Sequence, residues 1–205
     1  FTRPLRLKQR SEFDPRPHRG IYLLPNAFTT AALFSGFFAI VQAMNLRFDI
    51  AAIAIFCAMV LDSLDGYVAR LTKTQSVFGA EYDSLADMVS FGAAPALVMY
   101  EWSLRGLGKW GWVAAFVYVA GAALRLARFN TNIGIVDKRF FQGLPSPAAA
   151  ALVAGFVWVF EDLRYVGSAL AWPSWIVTVY AGLSMVCNSP FFTLTGVDFR
   201  KGVPV

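Results

Sequence analysis

Four aspartates carry the chemistry that can be read from this 205-residue chain. Asp62 and Asp65 are three residues apart, and Asp83 and Asp87 are four apart. On helices, each pair shares one face. The pairs are expected at the same end of adjacent, antiparallel helices, so that four carboxylates can converge on one point. Ionisable groups inside apolar spans are costly and usually functional, generally with a partner. The nearest basic candidate, Arg70, is one charge against four. Two divalent cations would balance the cluster. With only carboxylates on offer, hard ions such as Mg²⁺ or Mn²⁺ suit it better than Zn²⁺. Two metals about 4 Å apart can clamp the attacking and leaving oxygens of a phosphoryl transfer.

The surrounding residues suit a nucleotide. Gly66, Ala69 and Gly79 have little or no side chain, allowing a base and ribose to approach closely. Taken singly, Gly66 and Ala69 would fit helix packing in a membrane as well. Arg70 is placed to neutralise a diphosphate. Asn26 and Thr29, three apart beside Pro25, are candidates to hydrogen-bond a nucleotide or lipid phosphate, or simply mark the start of a helix. His18, in a basic stretch, is read as a surface residue rather than a ligand.

These residues need helices to hold them, and the composition says which kind. The chain is 57% hydrophobic and 15% charged, against about 25% charged in a soluble domain. Apolar segments predict six membrane-spanning helices: roughly 21–46, 48–71, 77–102, 110–129, 144–160 and 172–189. The first is uncharged throughout and long enough to span. The fold class expected is an all-α membrane bundle, with residues 1–20 as a basic juxtamembrane arm and 21–200 as one transmembrane domain. No internal repeat is apparent. Arg47, Arg105, Lys109 and Arg164 fall on one side of this topology and all other Lys and Arg on the other. The positive-inside rule therefore puts both termini and the aspartates at the cytoplasmic face of the cytoplasmic membrane. A net charge of +5 and a pI near 9.4 do not indicate nucleic acid, because the basic residues flank apolar spans and suit anionic lipid head groups. Cys57 and Cys187 lie in apolar stretches and are expected to pack inside helices, unpaired. No cleaved secretory signal is expected, since the first apolar stretch is too long and no small-residue cleavage site follows it. The chain is treated as a fragment open at both ends.

From Asp62 to Asp87 the sequence resembles the CDP-alcohol phosphotransferases at every specified position of the signature D-x2-D-G-x2-A-R-x8-G-x3-D-x3-D. The resemblance implies a six-helix core, commonly homodimeric, with two metals on the aspartates and cytidine against the small residues. It implies one metal on Asp62, Asp65 and Asp83, a second on Asp62, Asp83 and Asp87, and Asp87 as the general base. The stretches Ser84 to Pro95, Leu124 to Asn130 and Phe141 to Pro147, with Leu24 to Thr29, resemble the membrane-embedded phosphatidylserine synthases of bacteria and archaea. That branch implies CDP-diacylglycerol and L-serine as substrates. Members of the phosphatidylglycerophosphate branch usually carry lysine after the last aspartate, where this chain has Met88. The resemblance covers roughly residues 22 to 200, and members of the serine branch often have further apolar helices beyond this core.

If serine is the acceptor, its carboxylate needs a cation. Arg125 and Arg128, three apart at the cytoplasmic end of the fourth helix, are the candidates; both would also serve as anchors snorkelling to lipid phosphate. Other acceptors, such as inositol phosphate, glycerol phosphate or choline, would use the same chemistry. A cation or proton transporter is the rival from another class. Transporters place such sites at the bilayer midplane in broken helices, whereas these aspartates are expected at one end.

Overall fold

The computed structural model describes residues 23–72, 76–131, 140–187 and 190–192. The basic arm, His18, Lys73, Lys138, Arg139 and the residues after 192 lie outside them. Helix α1 spans Leu23–Met44, α2 Phe48–Thr72, α3 Val77–Asp87, α4 Ala94–Trp102, α5 Lys109–Thr131, α6 Ser146–Asp162 and α7 Ala171–Val186. Helices α3 and α4 are one rod joined by a π-helical turn, Met88–Ala93. Short 3₁₀ turns at Leu104–Leu107 and Gly167–Leu170 precede α5 and α7. The expected helices thus form, within a few residues of their expected limits. The π turn inside the third was not foreseen.

Among the described residues, three helices can cross a membrane by length and hydropathy: Asn26–Met44, Lys109–Thr131 and Gly167–Val186. Helix α6 is apolar but only 17 residues long, while α2 and the α3–α4 rod carry the aspartates. A second departure from an all-α chain is small. Strands β1 (Phe140–Gln142) and β2 (Pro190–Phe192) pair antiparallel, Phe140 opposite Phe192. The chain enters α6 and leaves α7 at the same end of the bundle, where the N–H of Leu144 also donates to the carbonyl of Ser184 at 3.0 Å. Extended pairing there satisfies backbone groups that no helix can.

The helices meet through small residues. Helix α1 packs chiefly on α2, α5 on α7, and α2 on α6. Ala39, Ala51, Ala58, Ala94, Ala122 and Ala150 are among the fully buried core. Without a hydrophobic driving force between helices in lipid, close backbone approach supplies the packing. One close crossing joins α5 and α7: a Cβ on Gly121 would run into the carbonyl of Gly182, and one on Gly182 would lie 2.8 Å from Cα of Tyr118. Large apolar side chains face outward instead, including Phe34, Phe37, Phe116 and Ile176. Cys57 and Cys187 are exposed on the outer surface, which corrects the expectation that they pack inside.

The two ends of the bundle differ. Trp102 ends α4, Trp110 and Trp112 begin α5, Trp158 lies in the last turns of α6, and Trp172 and Trp175 begin α7. All six tryptophans of the chain therefore gather at the end away from the α2–α3 connection. Replacing Gly121 with leucine should drive α5 off α7. Overpacking of this kind costs about 1–3 kcal/mol or more, so a clear drop in the thermal midpoint of the purified protein is expected; an unchanged midpoint would contradict this packing.

Candidate active site

The chain turns back between α2 and α3, and this return brings the acidic pairs together. Ser76 starts α3: its hydroxyl accepts from the N–H of Gly79 at 2.9 Å, a standard N-terminal cap. Asp83 and Asp87 then follow one turn apart on the face toward α2. Carboxylate oxygens of Asp62, Asp83 and Asp87 all lie within 4.8 Å of one another. All three side chains are half-buried. Oδ1 of Asp83 is buried with no hydrogen-bond partner among the described residues. An orphaned acceptor inside a group of like charges suits a cation ligand, and an all-carboxylate donor set suits a hard divalent ion.

The fourth aspartate is held differently. Asp65 is buried, and its Oδ2 accepts a 2.7 Å hydrogen bond from the Thr29 hydroxyl on α1. It stays within electrostatic reach of Asp62 and Asp83 but outside the tight group of three. Thr29 therefore orients an acidic side chain, where the sequence suggested contact with phosphate or a helix-start role.

Helix α2 leaves room beside the carboxylates. Among the described residues, a Cβ on Gly66 would meet nothing within 4 Å, so packing between them does not explain this glycine, and the space beside it is open to a ligand. Gly79 differs: a Cβ there would come 3.1 Å from the Ser76 hydroxyl and 3.7 Å from Oδ1 of Asn26, so its smallness serves the cap. Asn26 and Ala69 are half-buried and Arg70 is exposed in the last turn of α2.

Across the cluster, Arg125 of α5 lies within electrostatic reach of Asp87. Its Nη1 donates to the hydroxyl of Ser146, at the start of α6, at 2.6 Å. Arg128 instead donates to the carbonyl of Val186, at the end of α7, at 3.3 Å. The two arginines share a helix face but reach different helices, and Arg125 is the one beside the cluster. Sequence reasoning missed three polar contacts here: Ser146 on Arg125, Asn130 paired with Ser84 at 3.1 Å, and Tyr82 with Thr30 at 2.9 Å. Ser84, Asn130 and Ser146 sit inside stretches singled out for their resemblance, but single-residue spacing does not reveal partners on other helices.

This geometry sits within a segment, residues 22–180, that matches the family described as CDP-alcohol phosphatidyltransferase. The chain belongs to that family. Among curated proteins, it is similar to the CDP-diacylglycerol–serine O-phosphatidyltransferases of Helicobacter pylori, 44% identical over 67% of this chain and 58% of that protein, and of Mycobacterium tuberculosis, 41% identical over 70% and 52%. It is also similar to the protein of that name from Methanocaldococcus jannaschii, 48% identical over 50% of this chain and 47% of that one. The chain spans between about half and three fifths of the length of these relatives.

Thr29→Ala removes the side-chain donor to the buried Asp65 carboxylate, which costs about 1–3 kcal/mol. The thermal midpoint should fall, and Thr29→Ser should restore it; equal behaviour of the two variants would show that the hydroxyl is idle.

Proposed function

We propose that this chain transfers the phosphatidyl group of CDP-diacylglycerol to the hydroxyl of L-serine, giving phosphatidylserine and CMP. The observation that carries the reading is the meeting of Asp62, Asp83 and Asp87 beside the open face at Gly66, in a family member whose relatives bear that activity in their names.

The four aspartates would hold two divalent cations, Mg²⁺ or Mn²⁺. When bound, these supply charge neutralisation for the diphosphate and electrophilic assistance at phosphorus. The chain's own residues do the rest. The base and ribose lie against Gly66 and Ala69, with Asn26 and Thr29 at the adjoining start of α1 and the Gly79 cap at the start of α3. Arg70 faces the diphosphate. Arg125 receives the serine carboxylate, with Arg128 further along α5. Asp87 takes the proton from the serine hydroxyl as that oxygen attacks phosphorus in line. The bond to the CMP oxygen breaks, and CMP leaves with the electron pair. Positioning and electrostatic stabilisation supply most of the rate.

In the same reading the six long helices all span the bilayer, with residues 21–200 as the transmembrane domain and 1–20 as a cytoplasmic arm. Both termini and the carboxylates face the cytoplasm. The tryptophans at the other end support its lying at a membrane interface, which their amphipathic rings favour, while the Lys and Arg bias supports the orientation. A homodimer in the cytoplasmic membrane is part of the proposal.

The test is CMP release by the purified protein from CDP-diacylglycerol with Mn²⁺ or Mg²⁺, comparing serine with inositol phosphate, glycerol phosphate and choline. Serine-dependent CMP is expected; CMP with another alcohol alone would overturn the acceptor, and cation transport without CMP would overturn the reaction. Asp87→Asn should abolish turnover while CDP-lipid binding persists. Arg125→Lys should raise the serine concentration needed for half-maximal rate about tenfold or more, a loss of roughly 1.4 kcal/mol, and leave that for the lipid nearly unchanged. Equal effects on both substrates would remove Arg125 from acceptor binding.

A further inference from the structure

The segment from Ser90 to Pro95 lies next to the aspartates, yet nothing in the proposed reaction uses it. Pro95 has no N–H, so the carbonyl of Phe91, four residues earlier, has no α-helical donor, and the proline ring crowds it. The rod does not break there. It widens into the π turn Met88–Ala93, in which the N–H of Ala94 reaches back five residues to the carbonyl of Val89. The orphaned carbonyl of Phe91 is taken by the Tyr118 hydroxyl of α5, which donates to it at 3.0 Å; both residues are fully buried. Helix α1 closes the other side. Ser90 donates to the carbonyl of Ala32 at 3.1 Å, and Gly36 lets the backbones meet, since a Cβ there would lie 2.6 Å from Cα of Ser90.

A π turn takes in an extra residue, and each residue turns a helix by about 100°. Asp87 is the residue immediately before this turn. Helix α4 is fixed by burial of Val98, Met99 and Trp102, so the π turn decides which way Asp83 and Asp87 point. Closed to an α-helix with α4 in place, the rod would carry both aspartates about 100° round, away from Asp62.

We propose that Tyr118 is a positioning residue for the carboxylate cluster: by anchoring the π turn that Pro95 creates, it fixes the rotation of Asp83 and Asp87 toward Asp62. It touches neither substrate nor carboxylate. The proposal rests on reading that cluster as the divalent-cation site.

Its test separates positioning from mere satisfaction of a buried carbonyl. In Tyr118→Phe the carbonyl loses its donor; in the double variant Tyr118→Phe, Pro95→Ala, residue 95 regains an N–H for that carbonyl and the turn can close. Mn²⁺ binding to purified protein and the thermal midpoint are measured for all three proteins. Tyr118→Phe should weaken Mn²⁺ binding about 10- to 100-fold, as loss of outer support for metal ligands does. The double variant should recover the midpoint but not Mn²⁺ binding. Recovery of both together, or wild-type Mn²⁺ affinity in Tyr118→Phe, overturns the proposal. Absence of Mn²⁺ binding in the unsubstituted protein instead overturns the cation reading, and this inference with it.

Discussion

Like charge held at close range inside an apolar bundle is the constraint on which the rest of the structure depends. Carboxylate oxygens of Asp62, Asp83 and Asp87 lie within 4.8 Å of one another. At an effective dielectric near 20, ionised neighbours at such distances repel by on the order of 3 kcal/mol per pair. Asp65 adds to this field from one turn along α2. Arg125 opposes it at Asp87, but a single guanidinium cannot balance four carboxylates. A sequence that places them there without using them would lose stability for nothing, and cations that balance the charge also suit phosphoryl transfer.

The helices are arranged to keep that group converged. Thr29 on α1 holds Asp65, the Ser76 cap starts α3, and the π turn sets the face that α3 presents. These supports share one scaffold, because α1 both carries Thr29 and receives Ser90 through the Ala32 carbonyl. Small residues let the helices approach closely enough for such short links. The side of α2 at Gly66 is not closed in this way, and it lies on the helix that carries Asp62 and Asp65.

Much of this was legible in the residues themselves. The spacing of the aspartates put each pair on a helix face, and uncharged stretches marked the helices to within a few residues. Gly66 and Gly79 looked alike in sequence, yet one faces open space and the other a capping hydroxyl. Such a difference depends on neighbours distant in the chain. For the same reason Thr29 was legible as polar and near the site, but not as the partner of a residue 36 positions away. Arg125 and Arg128 looked equivalent at three-residue spacing; their separation follows from where α6 begins and α7 ends. Pro95 was visible, but whether proline breaks, kinks or widens a helix depends on what satisfies the freed carbonyl, and Tyr118 lies 27 positions from Phe91.

The central claim is that the carboxylates converge in order to hold a pair of cations. Electron paramagnetic resonance of the protein titrated with Mn²⁺ tests it most directly. Two ions per chain, with the exchange coupling expected of metals about 4 Å apart, should appear in the unsubstituted protein, and the coupling should vanish in Asp62→Asn. One isolated ion, or none, would contradict the account.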